Sequence, residues 1–345
     1  MKSATFFCGG KLVPASRFRI HPIADRMVDD GWDVAIRHGY GTLDQSIRSK
    51  VGKTSYRLSM RALRSIRTAV EPRAGPALLQ RLAWPLSSLP ERILAWRRRP
   101  VVFDFDDAIF LDEREFLQAM RSSAFDRVCR ASAHVVAGNS WLASMVPNGV
   151  PVTIIPTGID TELYRPSKCR ESHARVRIGW IGTTSNLPYL FAIERELIKM
   201  RKNGSSFDFL ICSDTDPVDF RKRTDAIFTR WSPEAEIPFL QSLDIGIMPL
   251  ADNAWCRGKC SFKIIQHMAT GCPVVASDVG FNKDVVLPEQ TGLLVNTDWA
   301  DALTFLVEDA ERRAAYGARA RASAIERFDV HKIFPSYERI LSELQ

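Results

Sequence analysis

The sequence lacks several patterns that would place it in a familiar class. It has no apolar run near the roughly 20 residues that a membrane-spanning helix needs. Its seven cysteines include no CxxC pair and its six histidines show no metal-ligand spacing, so we expect no bound metal, no cofactor and a reducing, cytoplasmic location. The N-terminal segment has too few apolar residues for a signal peptide, and no nucleic-acid-binding motif is present.

Acidic residues are scarce in one region of the chain. Residues 48–99 contain 13 basic residues and two acidic ones, whereas the whole chain has a net charge of +7. Residues 48–70 have the pattern of an amphipathic helix, with arginines on one face and Leu63, Ile66 and Val70 on another. A solvated basic face is the alternative. We expect an anionic membrane surface as the partner rather than nucleic acid, with the protein peripheral on the inner face of the membrane.

Short apolar strands alternate with helical patterns, which predicts an α/β fold with parallel sheets. Strands are predicted at 4–8, 33–37, 101–105, 133–138, 152–156, 176–182, 207–212, 244–250, 273–277 and 292–295. A polar break near 165–175 divides them into two Rossmann-like domains, 1–168 and 169–330, and the helix at 331–345 is predicted to pack back on the first. Because ligands bind at the carboxyl ends of such strands, we expect a site in a cleft between the domains.

Three cations surround the predicted start of one helix. Arg257 and Lys259 precede the stretch SFKIIQHMATG, in which Ser261 is the predicted cap and Lys263 lies in the first turn. Because the start of a helix carries a partial positive charge, these cations are unfavourable there unless an anion offsets them. A solvated loop with outward side chains is the alternative. The pattern indicates a site for phosphate or diphosphate.

The segment WCRGKCSFKIIQHMATGCPVVAS resembles the donor-binding signature of family 4 glycosyltransferases of the GT-B fold. IPTGIDTELYRP resembles the family's domain junction, and RIGWIGTTSNLPYL its first C-terminal strand and loop. FDFDDAIF and VVAGNSWLA resemble a variant branch that also carries GKCSFK. The resemblance implies a retaining glycosyltransferase that moves a sugar from a nucleotide-diphosphate donor to a hydroxyl acceptor (a sugar, polysaccharide or lipid-linked group) without a metal. It also implies a role in cell-surface polysaccharide or glycolipid synthesis.

The chain departs from the family at two points. Most members carry a Glu-x7-Glu pair, and here Gly258 and Gln266 stand at those positions. Gln266 can still hydrogen-bond a ribose, whereas Gly258 cannot replace a carboxylate near the sugar. The Arg/Lys pair common after the first C-terminal strand is absent, so the positive charge is expected from Lys259 and Lys263. The donor sugar therefore cannot be inferred from Glu-bearing relatives.

The candidate site residues form four groups. The predicted diphosphate-binding groups are Gly10, Thr183, Thr184, Arg257, Lys259, Ser261, Phe262 and Lys263. Trp231 and Gln266 are the predicted nucleoside contacts, although a buried tryptophan more often belongs to the core. The predicted catalytic residues are Asp106, Asp107 and Lys263. Asp104, Lys11 and Asn139 are expected to contact sugar or acceptor hydroxyls. For the aspartates a helix cap and arginine pairing is the alternative, and for Gly10 a plain tight turn.

Two other functions stay open at this point. A UDP-sugar 2-epimerase on the same fold would need an acid, a base and a histidine facing the sugar, and only the aspartates at 104–107 hint at them. A non-catalytic sugar-nucleotide-binding subunit is consistent with the loss of the glutamate pair.

Overall fold

The computed structural model describes residues 2–39, 50–167 and 174–345, which divide into two compact units. The first unit runs to Gly158 and includes Val330–Gln345, and the second is Ile159–Asp329. The chain thus enters the second unit after Gly158, whereas the sequence predicted a boundary after residue 168. Hydrogen bonds explain the earlier boundary, because the N–H and hydroxyl of Thr161 both donate to Asp329 at the far end of the second unit.

A six-stranded parallel sheet forms the centre of the first unit. Its strands are β1 (Ser3–Cys8), β2 (Asp33–His38), β3 (Ala77–Gln80), β4 (Val101–Phe105), β5 (His134–Ala137) and β6 (Val152–Ile154). Their spatial order is β2-β1-β3-β4-β5-β6. The order changes direction between β1 and β3, so the loops after these two strands lie at the switch point where open parallel sheets bind ligands.

Helices cover this sheet. They are α1 (His21–Asp29), α2 (Lys50–Val70), α3 (Leu89–Trp96), α4 (Glu115–Ala131) and α5 (Ser140–Ser144). A π-helical turn, Ser16–Ile20, leads directly into α1. In the described ranges of the chain no helix is long and apolar enough to cross a membrane.

The second unit contains another six-stranded parallel sheet. Its strands are β7 (Val176–Ile181), β8 (Phe207–Ser213), β9 (Ala226–Arg230), β10 (Ile245–Met248), β11 (Val274–Ser277) and β12 (Gly292–Val295). The spatial order β12-β11-β10-β7-β8-β9 is that of a dinucleotide-binding sheet, with the switch point between β7 and β10.

Ten helices complete the chain as described. Those of the second unit are α6 (Leu187–Phe191), α7 (Glu194–Lys202), α8 (Val218–Thr224), α9 (Pro233–Gln241), α10 (Ala254–Arg257), α11 (Phe262–Ala269), α12 (Asn282–Val285), α13 (Trp299–Glu308) and α14 (Ala310–Phe328). The last helix, α15 (Val330–Glu343), returns to the first unit and buries Phe334 and Tyr337 in one core with Phe6 and Ile23. The predicted α/β class with two Rossmann-like sheets and a returning C-terminal helix is confirmed.

Candidate functional site

The switch point of the second unit collects most of the residues predicted to bind diphosphate. Thr183 and Thr184 follow β7, and Lys259 and Lys263 follow β10, the neighbouring strand in the sheet. The carboxyl ends of parallel strands meet at one edge, so residues more than 70 positions apart in sequence become neighbours. One contact shows this directly, because Lys259 Nζ donates to Asn186 Oδ1 at 3.0 Å.

The start of α11 is built differently from the prediction. Ser261 adopts a left-handed conformation with φ of 50°, and its buried hydroxyl donates to Asn282 Oδ1 at 2.7 Å. Its side chain therefore does not cap the helix, and the prediction of a Ser261 cap is wrong. The helix ends as predicted, because Gly271 has φ of 75° and the N–H of Cys272 bonds back to the carbonyl of His267.

Gln266 and Lys263 form a small polar cluster one turn into α11. Lys263 is half-buried, and its Nζ donates to Gln266 Oε1 at 3.1 Å. The Gln266 side chain is fully buried, and among the described residues its Nε2 has no hydrogen-bond partner. Leaving a buried donor unpaired costs about 1–3 kcal/mol, so a ligand oxygen at this position would relieve an existing cost. This is the position where the family carries the second glutamate.

Lys259 lies among polar and aromatic groups. Besides the bond to Asn186, its Nζ is 5.8 Å from the ring centre of Tyr189 and 5.7 Å from that of Trp255. Asn186 in turn donates to Thr183 Oγ1 at 3.0 Å, so this side chain ties the loop after β7 to the cation. Asn186 was not among the predicted site residues, since its role depends on the fold and no motif marks it.

Two predicted phosphate ligands are already engaged by carboxylates. Arg257 makes a two-pronged pair with Asp252, at 2.7 and 3.0 Å, on the surface. The backbone N–H and hydroxyl of Thr184 both donate to Asp214 Oδ1, at 2.7 and 2.9 Å. Asp214 therefore takes the donors of Thr184 that were expected to face a phosphate. Lys259 and Lys263 are half-buried, and Phe262, half-buried as well, lies between them in sequence.

Trp231 follows β9, and a hydrogen bond from its indole nitrogen fixes the ring. Its Nε1 donates to Glu236 Oε2 at 2.8 Å, and the buried Glu236 also accepts from the hydroxyl of Tyr164. Burial raises the pKa of the Cys212 thiol to about 12, while the charge of Lys263 lowers it and that of Glu236 raises it. Both charges therefore lie near the end of β8. The base-stacking role of Trp231 stays a prediction.

In the first unit, Asp104 belongs to a buried ion pair. Arg19 donates to its two carboxylate oxygens at 3.0 and 2.5 Å, and the hydroxyl of Tyr337 donates to one of them at 2.9 Å. Arg19 also donates to the Ile155 carbonyl at 3.0 Å. All of Asp104 is inaccessible to solvent, so the expected contact with sugar or acceptor does not fit this position. The cluster instead joins β4, the π-helical turn and α15.

Asp106 and Asp107 are both paired with Arg81, as the alternative interpretation held. Arg81 donates to Asp106 Oδ1 at 3.0 and 2.7 Å and to Asp107 Oδ2 at 2.5 Å. Burial raises the pKa of Asp106, but the charges of Arg81 and Arg19 outweigh it and hold that pKa below its usual value. Asp106 is therefore ionised at neutral pH and a weak proton acceptor. Their side chains remain 13% and 29% exposed, which leaves room for a hydroxyl to donate to them.

The other predicted groups of this unit are at strand ends. Asn139 follows β5 and caps α5, because its buried Oδ1 accepts from the N–H of Leu142 at 2.7 Å. This cap accounts for Asn139 without a substrate. Gly10 is buried in a tight turn in which its carbonyl accepts from Val13 at 3.0 Å, and Lys11 beside it is exposed. Contacts of Gly10 and Lys11 with a ligand stay predictions.

The two sheets identify the fold class of this protein. Two parallel six-stranded sheets, the second with cations and a buried amide at its switch point, form the GT-B fold. Sucrose-phosphate synthase from Thermosynechococcus elongatus is similar in fold, with a TM-score of 0.71, 14% identity, and coverage of 100% of this chain and 99% of that one. HepE of Anabaena in complex with UDP has a TM-score of 0.70 at 17% identity and 100% coverage of both chains.

Sequence comparison finds similarity to a known family in the second unit. Residues 175–309 match the family described as Glycosyl transferases group 1. D-inositol 3-phosphate glycosyltransferase of Nocardia farcinica is 45% identical over 202 residues, 50% of this chain and 43% of that protein. GDP-mannose-dependent alpha-mannosyltransferase of Mycolicibacterium smegmatis is 36% identical over 91 residues, covering 25% and 22%. The chain spans less than half the length of the curated relatives it matches.

Proposed function

We propose that this protein is a retaining glycosyltransferase that moves a sugar from a nucleotide-diphosphate donor to a hydroxyl acceptor. The buried side chain of Gln266 carries the proposal, because its Nε2 has no hydrogen-bond partner within the part of the chain that the structure describes. A ribose hydroxyl would accept from Gln266 Nε2, and the diphosphate would lie toward the lysines. HepE, a neighbour in fold, is described in complex with UDP and with UDP-glucose, which supports a nucleotide-sugar donor.

The chemistry rests on charge neutralisation. When the bond between the anomeric carbon and the donor phosphate breaks, negative charge grows on the leaving diphosphate. Lys259 and Lys263 are half-buried at the switch point, where such charge is stabilised more strongly than in water. In the front-face mechanism that the family resemblance implies, the leaving phosphate itself accepts the proton of the acceptor hydroxyl. Asp106 and Asp107, held ionised by Arg81, would position a sugar or acceptor hydroxyl rather than remove a proton.

Release of nucleoside diphosphate from a panel of nucleotide sugars, with and without simple hydroxyl acceptors, tests the activity. We expect Lys263→Ala to lower turnover by about 100-fold to 1,000-fold, as for loss of one group that stabilises transition-state charge. Lys283→Ala is the matched control, because Lys283 is a 55% exposed lysine of the same unit that pairs with Asp278. The anomeric configuration of the product, read by NMR, tests retention.

The same assay separates the alternatives. A nucleotide sugar recovered as its epimer would favour the isomerase, which the pairing of both aspartates with Arg81 does not favour. Nucleotide binding without turnover on the whole panel would favour a non-catalytic subunit. Turnover of Lys263→Ala equal to that of Lys283→Ala would contradict the assigned role of Lys263.

We also propose that α2 docks on an anionic membrane surface, which is consistent with glycolipid or cell-surface polysaccharide synthesis. Leu63, Ile66 and Val70 of α2 are 44%, 60% and 58% exposed, an apolar stripe on a helix that also carries exposed arginines. Such a helix combines apolar insertion with attraction to anionic lipid. We expect Ile66→Ser to weaken co-sedimentation with vesicles containing phosphatidylserine. Ile227→Ser is the control, because Ile227 is an exposed isoleucine of β9, and it should leave co-sedimentation unchanged. An equal loss of co-sedimentation in the two variants would contradict docking through α2.

A further inference from the structure

Three side chains with metal-ligand chemistry meet at the carboxyl edge of the first sheet. Cys8 ends β1, His38 ends the neighbouring strand β2, and His21 is the first residue of α1. One ligand atom from each, the sulfur and two ring nitrogens, lies within 4.8 Å of the other two. They are 13 and 17 positions apart in sequence, so no short motif marks them. The β1-α1-β2 connection brings them together.

The geometry of this trio is close to that of a metal centre. Cys8 Sγ is 3.3 Å from His38 Nδ1, and the rings of His21 and His38 are 5.3 Å apart between centres at an angle of 85°. With bonds of about 2.3 Å to sulfur and about 2.0 Å to nitrogen, two ligands of a tetrahedral zinc are roughly 3.5 Å apart. The Cys8–His38 pair already has this separation. The His21 ligand atom lies within 4.8 Å of the other two, somewhat farther than this separation at most.

One ring nitrogen of His21 is available as a ligand atom. Among the described residues its buried Nε2 has no hydrogen-bond partner. Cys8 is fully buried in the same place. The π-helical turn before His21 is a type of irregularity that often accompanies functional sites.

We propose that Cys8, His21 and His38 bind a zinc ion through Cys8 Sγ, His38 Nδ1 and His21 Nε2. One thiolate with two imidazoles suits Zn²⁺ better than Mg²⁺ or Ca²⁺, which prefer oxygen ligands. Three protein ligands leave a fourth position for water or for an oxygen atom of a ligand. On binding, the Cys8 thiol forms its bond to zinc and releases its proton to solvent. The site would fasten the ends of β1 and β2 to the start of α1, beside the switch point of this sheet.

This proposal departs from the sequence-based expectation of no metal, which rested on residue spacing and on the family resemblance. It is independent of the proposed sugar transfer, because its ligands lie in the first unit and its readouts do not require turnover.

Metal content and cobalt spectroscopy of the full chain test it. After treatment with a chelator and titration with Zn²⁺, we expect one tightly held equivalent and release of about one proton at pH 7. Co²⁺ in place of zinc should give a thiolate-to-cobalt charge-transfer band. Cys8→Ser should abolish the band, and His21→Asn should weaken metal retention at least tenfold, which corresponds to loss of one ligand or more. Cys129→Ser is the matched control, since Cys129 is the other buried cysteine of the unit.

The outcomes are separable even if Cys8→Ser fails to fold, because the cobalt band and zinc stoichiometry of the wild type need no variant. Absence of the band, or wild-type zinc retention no greater than that of His21→Asn, would overturn the proposal. The cluster would then be only a hydrogen bond between the Cys8 thiol and His38, with His21 packed beside it.

Discussion

The two units have nearly the same sheet, but the polar contacts at the carboxyl edges of their sheets differ. At the carboxyl edge of the first sheet, arginines neutralise carboxylates within the unit, as in the Arg19–Asp104 and Arg81–Asp106 pairs. At the switch point of the second, Lys259 donates to the neutral amide of Asn186, and Lys263 donates to that of Gln266. An amide carries no charge, so these two contacts do not neutralise the lysines, whereas each arginine of the first unit neutralises its carboxylate.

This difference separates structural from ligand-directed polar residues. A buried salt bridge whose groups are fully satisfied stabilises one arrangement of the chain and has no spare hydrogen bond. A buried amide with an unpaired N–H is incomplete until something accepts from it. The first description fits Asp104, and the second fits Gln266.

The largest expected effect is on the stability of the first unit. Arg19→Met leaves the buried carboxylate of Asp104 without its cation, so we expect the free energy of unfolding to fall by about 3–5 kcal/mol. Urea denaturation of the full chain measures it. Arg26→Met is the control, because Arg26 is 44% exposed and its pair with Asp30 is worth at most about 1 kcal/mol. Equal losses in the two variants would show that the buried pair is not the structural link we describe.

A smaller effect is expected in the second unit, where the free energy of unfolding should depend on pH. His267 is fully buried on α11, its ring packs on Gly246, and burial together with the charge of Lys263 lowers its pKa to about 3. The unfolded chain protonates this histidine below its ordinary pKa of about 6.5, and the folded chain does not, so acid favours unfolding. Between pH 7 and pH 5 we expect a loss of about 2 kcal/mol from this group alone.

The variant His267→Leu checks the assignment, because neither ring nitrogen has a hydrogen-bond partner among the described residues. Urea unfolding of the variant should lose much of the dependence on pH between 7 and 5. Part of the pH dependence will remain, since burial also lowers the pKa values of His21, His38 and His134. The paired Asp106 has its pKa lowered, so its contribution is lost only below about pH 4. An unchanged pH dependence in the variant would contradict this account.

The smallest effect concerns the carboxylates held by Arg81. If Asp107 positions a substrate hydroxyl, Asp107→Asn removes the charge but keeps the shape, and turnover should fall by about tenfold. Asp112→Asn is the comparison, because Asp112 is another aspartate after β4 and its pKa is lowered, chiefly by a hydrogen bond from the Arg114 backbone. Turnover of Asp107→Asn equal to that of the wild type would reduce Asp107 to a structural partner of Arg81.

Most strands could be predicted from the sequence because their apolar runs stand between turn residues. β4 was predicted with its observed bounds, Val101–Phe105, since its run of mostly apolar residues lies between Pro100 and Asp106. β3 was missed because Ala77–Gln80 is only four residues long and lies between prolines that suggested turns. β9 was missed because Ala226–Arg230 is an edge strand with only one buried residue.

Site residues could be predicted only where the residue type is unusual for its local secondary structure. Cations at a helix start conflict with the helix dipole, so Lys259 and Lys263 were visible in the sequence. Their partners were not, because Asn186 reaches Lys259 across 73 positions and Arg19 reaches Asp104 across 85. Asp104 was expected to contact a substrate for the same reason. No local sequence pattern indicates that Arg19 is buried beside it.

The most direct test of the central claim is nucleoside diphosphate binding, measured by calorimetry with UDP, GDP and ADP. We expect the preferred nucleotide to bind about 10-fold more weakly to Gln266→Leu and to Lys263→Ala, as expected for loss of one hydrogen bond or charge contact. Gln241→Leu is the control, since Gln241 is a glutamine of the same unit that donates to the Arg165 carbonyl. Wild-type affinity in both site variants would contradict the claim that the switch point of the second unit binds the donor nucleotide.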